Sequence, residues 1–106
     1  MSLKMSKFSK SAVGSTQLNE LMLRYAQDGQ IANVAGCLLK GADVNYKQGA
    51  LLLIAIYNNN KKILKLLMSY NATLGFKEAI NIAEKMEDDK LLQVLNEYVA
   101  KRGIEV

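Results

Sequence analysis

The chain has 106 residues, half of them hydrophobic, which is enough for one domain with a real core. It holds no proline, no histidine and a single cysteine, so a Ser-His-Asp or Cys-His catalytic arrangement, a histidine-ligated metal site and an internal disulfide are excluded. A formal charge of +4 points at first to a polyanionic partner. Lys4, Lys7 and Lys10 supply three of those charges, however, and the rest of the chain sets eleven basic residues against ten acidic ones.

Residues 1–15 are rich in Ser and Lys and are expected to form a flexible basic lead, without an apolar run long enough for a secretory signal. The longest apolar stretch, residues 50–57, is far short of the roughly 20 residues that a membrane-crossing helix needs, so a soluble chain without membrane insertion is expected. The lone Cys37 fits a reducing compartment. The expected location is therefore the cytoplasm, of the protein's own cell or of a host cell.

From Thr16 onward the chain repeats itself. Ala26, Ala55 and Ala83 recur at a nearly constant interval, and each is preceded at one helical turn by Leu23, Leu52 or Ile80. Next come Asp28-Gly29-Gln30, Asn58-Asn59-Asn60 and Glu87-Asp88-Asp89, residue types that break or cap helices and so predict tight turns. Beyond the turns, Val34, Ile63 and Leu91 are followed by the pairs Cys37 with Leu38, Leu66 with Leu67 and Val94 with Leu95, again at helical spacing. Each unit thus reads as two helices, with the small alanine where they cross. The pattern predicts an all-α fold of six helices, with hairpins at 16–39, 50–70 and 76–102 inside units 16–45, 46–74 and 75–102, and a tail at 103–106.

Residues 29–45, GQIANVAGCLLKGADVN, resemble the second half of an ankyrin repeat, most closely in Gly-Ala-Asp-Val-Asn at 41–45. In the middle unit, Leu52 and Ala55 match the apolar positions of the family's first helix, and Asn71-Ala72-Thr73-Leu74 resembles a decayed Gly-Ala-Asp-Val. Gly41 suits the left-handed residue that ends a helix, Asn71 is the usual substitute, and Asp43 and Asn45 can bond the backbone of their own turn. The resemblance covers residues 16–98 and implies a stack of three helix-turn-helix repeats joined by β-hairpin linkers. A tetratricopeptide-like array or an unrelated six-helix bundle would share the periodicity but not that turn.

The chain departs from the family's Thr-Pro-Leu-His opening: Leu21-Met22-Leu23-Arg24 and Ala50-Leu51-Leu52-Leu53 stand there instead, and only Leu23 and Leu52 fit. Ala42 stands closer to Ala55, and Ala72 closer still to Ala83, than a full-length family repeat would place them, which predicts shortened hairpin linkers, most of all after Leu74. The third unit is polar enough to serve as a cap. The first is less so, and is expected to lean on residues before Thr16 or on a second molecule.

Little in the chain suggests catalysis. Cys37 falls where the other units have Leu66 and Val94 and reads as a small buried hydrophobe. Glu84, Glu87, Asp88 and Asp89 form the densest acidic cluster, with the spacing of neither a calcium loop nor a dedicated carboxylate pair, and the glycines are scattered singly, giving no phosphate loop. No enzyme activity, cofactor or metal is expected, and the closing Ile104-Glu105-Val106 reads as a frayed tail.

By the resemblance, the chain is a non-catalytic module that binds another protein on the concave face of the stack. The matching positions are Asn45, Tyr46, Lys47 and Gln48 in the first linker, Tyr25, Tyr57 and Asn58 on the first helices, and Phe76 and Lys77 after the second linker. For Tyr25 and Tyr57, covering the core is an equal alternative. The resemblance extends to small decayed ankyrin-like proteins that bacteria and viruses direct at host proteins. The alternative partner is nucleic acid or another anionic surface, held by the basic lead and by Lys40, Lys47, Lys61, Lys62, Lys65 and Lys77, which face only Asp43.

Overall fold

The computed structural model describes residues 15–106, and the expected flexible lead lies outside the described residues apart from Ser15. Six helices follow one another: α1 (Ser15–Gln27), α2 (Ile31–Leu39), α3 (Tyr46–Tyr57), α4 (Lys61–Ser69), α5 (Phe76–Lys85) and α6 (Asp89–Arg102). The described residues include no strand. None of these helices is long and apolar enough to cross a membrane.

Three-residue turns join α1 to α2, α3 to α4 and α5 to α6, and the members of each pair pack together. The pairs also touch along the chain, α1 and α5 each against α3, and α2 against α4. The turns share one geometry. Gly29, Asn59 and Glu87 take left-handed φ values of 73°, 52° and 55°, and the amide that follows each one donates back to the preceding helix. These bonds are Gln30 N to Tyr25 O at 2.9 Å, Asn60 N to Ala55 O at 2.8 Å and Asp88 N to Ala83 O at 3.1 Å, satisfying carbonyls that the helix end leaves open. Asn60 and Asp88 then cap the next helix, their side chains accepting from the amides of Ile63 and Leu91, each at 3.1 Å. Gln30 makes no such bond.

These hydrogen bonds refine the register read from the alanines. In the turns Tyr25 stands where Ala55 does, and at the ends of the second helices Ala42 N bonds Cys37 O as Ala72 N bonds Leu67 O. The true counterpart of Ala55 is therefore Tyr25, the residue just before Ala26. Leu38, Leu67 and Leu95 are all buried nonetheless, because neighbouring positions on a helix can both reach a core stripe. At its far end α6 runs longer, to a left-handed terminus at Gly103: it has 14 residues, where α2 and α4 have 9 each. The added length is more than one helical turn.

The core joins Met22, Leu23 and Ala26 of α1, Val34, Cys37 and Leu38 of α2, Leu51, Leu52, Ala55 and Ile56 of α3, Ile63, Leu64 and Leu67 of α4, Ala79 and Ala83 of α5, and Leu91, Leu95 and Val99 of α6. Ala26, Ala55 and Ala83 are all buried.

The linkers, residues 40–45 and 70–75, correct one expectation: neither carries the shortened β-hairpin. The first folds on itself, with Asn45 N donating to Asp43 Oδ1 at 2.8 Å. Lys47, Gln48 and Gly49 then turn left-handed at φ 53°, 59° and 94°, a conformation incompatible with a β ladder. Regular right-handed helix in α3 begins only at Ala50. Gly49 lies against the second linker so closely that an added Cβ would stand 2.3 Å from the Leu74 carbonyl oxygen.

Candidate functional site

The residues expected to meet a partner separate into structural and exposed groups. Phe76 is the clearest correction. It is 1% exposed, because Gly75 turns the chain inward at a left-handed φ of 89° and the ring stacks on Tyr98 of α6 with centroids 5.0 Å apart. It joins the two helices of the third pair and offers no anchor at the surface.

Asn45 is likewise committed to the fold. Its Oδ1 accepts from the amides of Thr73 at 2.9 Å and Leu74 at 3.1 Å, and its Nδ2 donates to Thr73 Oγ1 at 3.1 Å, so one side chain ties the two linkers together. Asn19, buried on α1, does the same for the first linker by accepting from Asp43 N at 2.7 Å. Asn45→Ala is expected to cost about 1–3 kcal/mol by leaving two linker amides unpaired. Hydrogen exchange at Thr73 and Leu74 should accelerate together; unchanged protection there would contradict this role.

Lys47 and Gln48 are exposed in the left-handed turn, and Tyr46 just before them is partly buried against the core. The Tyr46 hydroxyl donates to Glu20 Oε2 at 2.6 Å, and Lys47 Nζ lies 3.1 Å from the same oxygen. The Tyr46 hydrogen bond first, and the Lys47 ammonium second, hold the Glu20 carboxyl below its ordinary range. A carboxylate with a lowered pKa keeps these contacts at neutral pH and loses them as acid takes the pH down through that pKa. Sequence reading found the tyrosine and the lysine but missed Glu20, because it lies 26 residues away from Tyr46 on another helix.

The tyrosines of the first helices part company. Tyr25 is half-buried against the core, whereas Tyr57 is 68% exposed at the end of α3. Between Ala50 and Tyr57 the helix has no polar residue, so its outward side is as apolar as its inward one. Ala50, Leu53 and Ile54, all only partly buried, precede Tyr57 at the one-face spacing i, i+3, i+4 and i+7. Asn58 and Lys77 are exposed. Tyr57 stands roughly 12 Å along the helix from the left-handed turn, at 1.5 Å per residue.

Nothing in the described residues favours chemistry at another place. Cys37 is buried, and desolvation pushes its thiol above the ordinary range. Its reaction with an aromatic disulfide reagent is therefore expected to be slow in the folded protein and fast in denaturant; rapid native labelling would contradict this placement. A dimple between α3, α4 and α6, floored by Ala55, Ile56, Leu64 and Leu91, has about 10 Å³ of room, the size of one water. The described residues contain no group of three acidic or cysteine side chains that could hold a metal. Lys61, Lys62 and Lys65 are all exposed on α4.

No family model, no curated protein and no solved structure matches the chain.

Proposed function

We propose that this chain is a non-catalytic protein-binding module, a short ankyrin-like stack of three helical hairpins that takes a protein partner on the outward side of its first helices. The carrying observation is α3 itself: its outward face runs from Ala50 through Leu53 and Ile54 to an exposed Tyr57 without a polar residue. An aromatic residue that is rigid, amphipathic and already at the surface loses little entropy on binding and is a common interface anchor. The pairing of the helices, the repeated left-handed turns and the resemblance of residues 41–45 support the repeat reading. The lone Cys37 fits a cytoplasmic setting, in the protein's own cell or, for a bacterial or viral protein, in a host.

Affinity capture from cell extract, comparing the full wild-type chain with Tyr57→Asp, tests this reading. Tyr57 is mostly solvated, so the variant should fold. Specifically captured proteins are expected to disappear with the variant; identical capture would place recognition elsewhere.

The exposed Lys61, Lys62 and Lys65 favour a second reading, binding of nucleic acid or another anionic surface along α4. Retention on a polyanion that falls steeply with added salt would support it, and no retention at low salt would remove it.

A further inference from the structure

We propose that Tyr46 and Lys47 form a receiving site for a carboxylate on an acidic protein partner, and that Glu20 fills this site in the free chain. The proposal rests on the protein-binding reading above and adds the partner's chemistry to it.

Glu20 reports what the site binds. A single oxygen, Oε2, lies 2.6 Å from the Tyr46 hydroxyl and 3.1 Å from Lys47 Nζ, so an uncharged donor and a charged one converge on one carboxylate. The donors are set in place by backbone. Lys47 opens the left-handed turn, and Gly49 fixes that turn against the Leu74 carbonyl.

The ion pair itself is open to solvent. The side chains of Lys47 and Glu20 are 58% and 45% exposed, and contacts this open are screened by water and salt. A partner's carboxylate would satisfy the same two donors while the partner's bulk shielded them from solvent, where such bonds are stronger. Charge favours the exchange as well. Residues 46–74 contain Lys47, Lys61, Lys62 and Lys65 and no acid, so once Glu20 swings aside the neighbouring Asp43 is the one acid within four residues of the two donors to oppose an incoming negative group. The partly buried Ala50 and Leu53 begin about one turn beyond Lys47, which fits an acidic residue flanked by apolar ones.

The test uses the full chain and a fluorescent 12-residue peptide of Leu and Glu, with a second peptide in which Gln replaces every Glu. Binding is followed by anisotropy, and far-UV circular dichroism verifies that each variant is folded. Glu20→Gln removes the internal competitor and is expected to tighten binding of the Glu peptide about three- to tenfold, without changing the Gln peptide. Adding Lys47→Ala and Tyr46→Phe should abolish the preference for Glu over Gln. Equal affinity of wild type and Glu20→Gln for the Glu peptide, or a preference that survives loss of both donors, would overturn the proposal, as would failure of the Glu peptide to bind at millimolar concentration. Any of these results alongside capture that still depends on Tyr57 would remove the carboxylate site and leave the protein-binding reading standing. The same results with capture indifferent to Tyr57 would remove both.

Discussion

Phe76→Ala is expected to destabilise the protein by about 3–5 kcal/mol, the range for emptying a fully buried aromatic position. The cost should lie at the upper end because the ring has two roles. It fills the core, and its stack with Tyr98 ties the start of α5 to α6. Tyr98 in turn donates its hydroxyl to the Ala72 carbonyl at 2.7 Å, closing the second linker. Small domains are stable by about 5–15 kcal/mol, so this variant should lose a large share of its stability. Urea unfolding followed by helicity measures it directly. A loss below about 1 kcal/mol would show that Phe76 is not the core residue described, by a margin well outside the usual scatter.

Gly49→Ala is expected to cost roughly 2–5 kcal/mol, combining the left-handed penalty of a Cβ with overpacking against backbone. The new carbon would stand 2.3 Å from the oxygen and 2.7 Å from the carbon of the Leu74 carbonyl, and backbone in a linker tied by Asn45 cannot easily retreat. Gly41→Ala separates the two causes. Gly41 also has a positive φ, 105°, but an added Cβ there meets nothing within 4 Å. It should cost only the conformational part, about 1–2 kcal/mol. Equal losses at the two glycines would mean that the approach of the linkers contributes nothing to stability.

The helices and their turns were legible because their signals are local. Apolar residues at helical spacing, and Gly, Asn or acids between them, are sufficient to place all six helices. Fine register was less legible. A one-residue shift in alignment leaves buried stripes nearly unchanged, so the apolar pattern aligns Ala26 with Ala55 while the hydrogen bonds align Tyr25 with it. The linkers were misjudged because three successive left-handed residues, two of them not glycine, have no sequence signature: their conformation follows from the contacts of Gly49 with the second linker and of Lys47 with Glu20.

The site was legible in part for a related reason. Tyr46, Lys47 and Tyr57 stand out as residue types that bind partners. Whether an aromatic side chain faces outward depends on tertiary packing, which buries Phe76 and leaves Tyr57 in solvent. Asn45 was read as a recognition residue because an exposed turn asparagine and one that clasps a neighbouring linker have the same local sequence. Tyr98 and Glu20 went unnoticed, since each acts across 26 residues of chain.

Binding of a protein partner along the outward side of α3 is tested by a photo-crosslinking amino acid placed at position 57 and, separately, at position 62 on α4. After irradiation in cell extract, a discrete crosslinked protein is expected from position 57 and none from position 62. A crosslink from position 62 with none from position 57 would contradict binding along α3 and move recognition to the lysine-bearing side of α4.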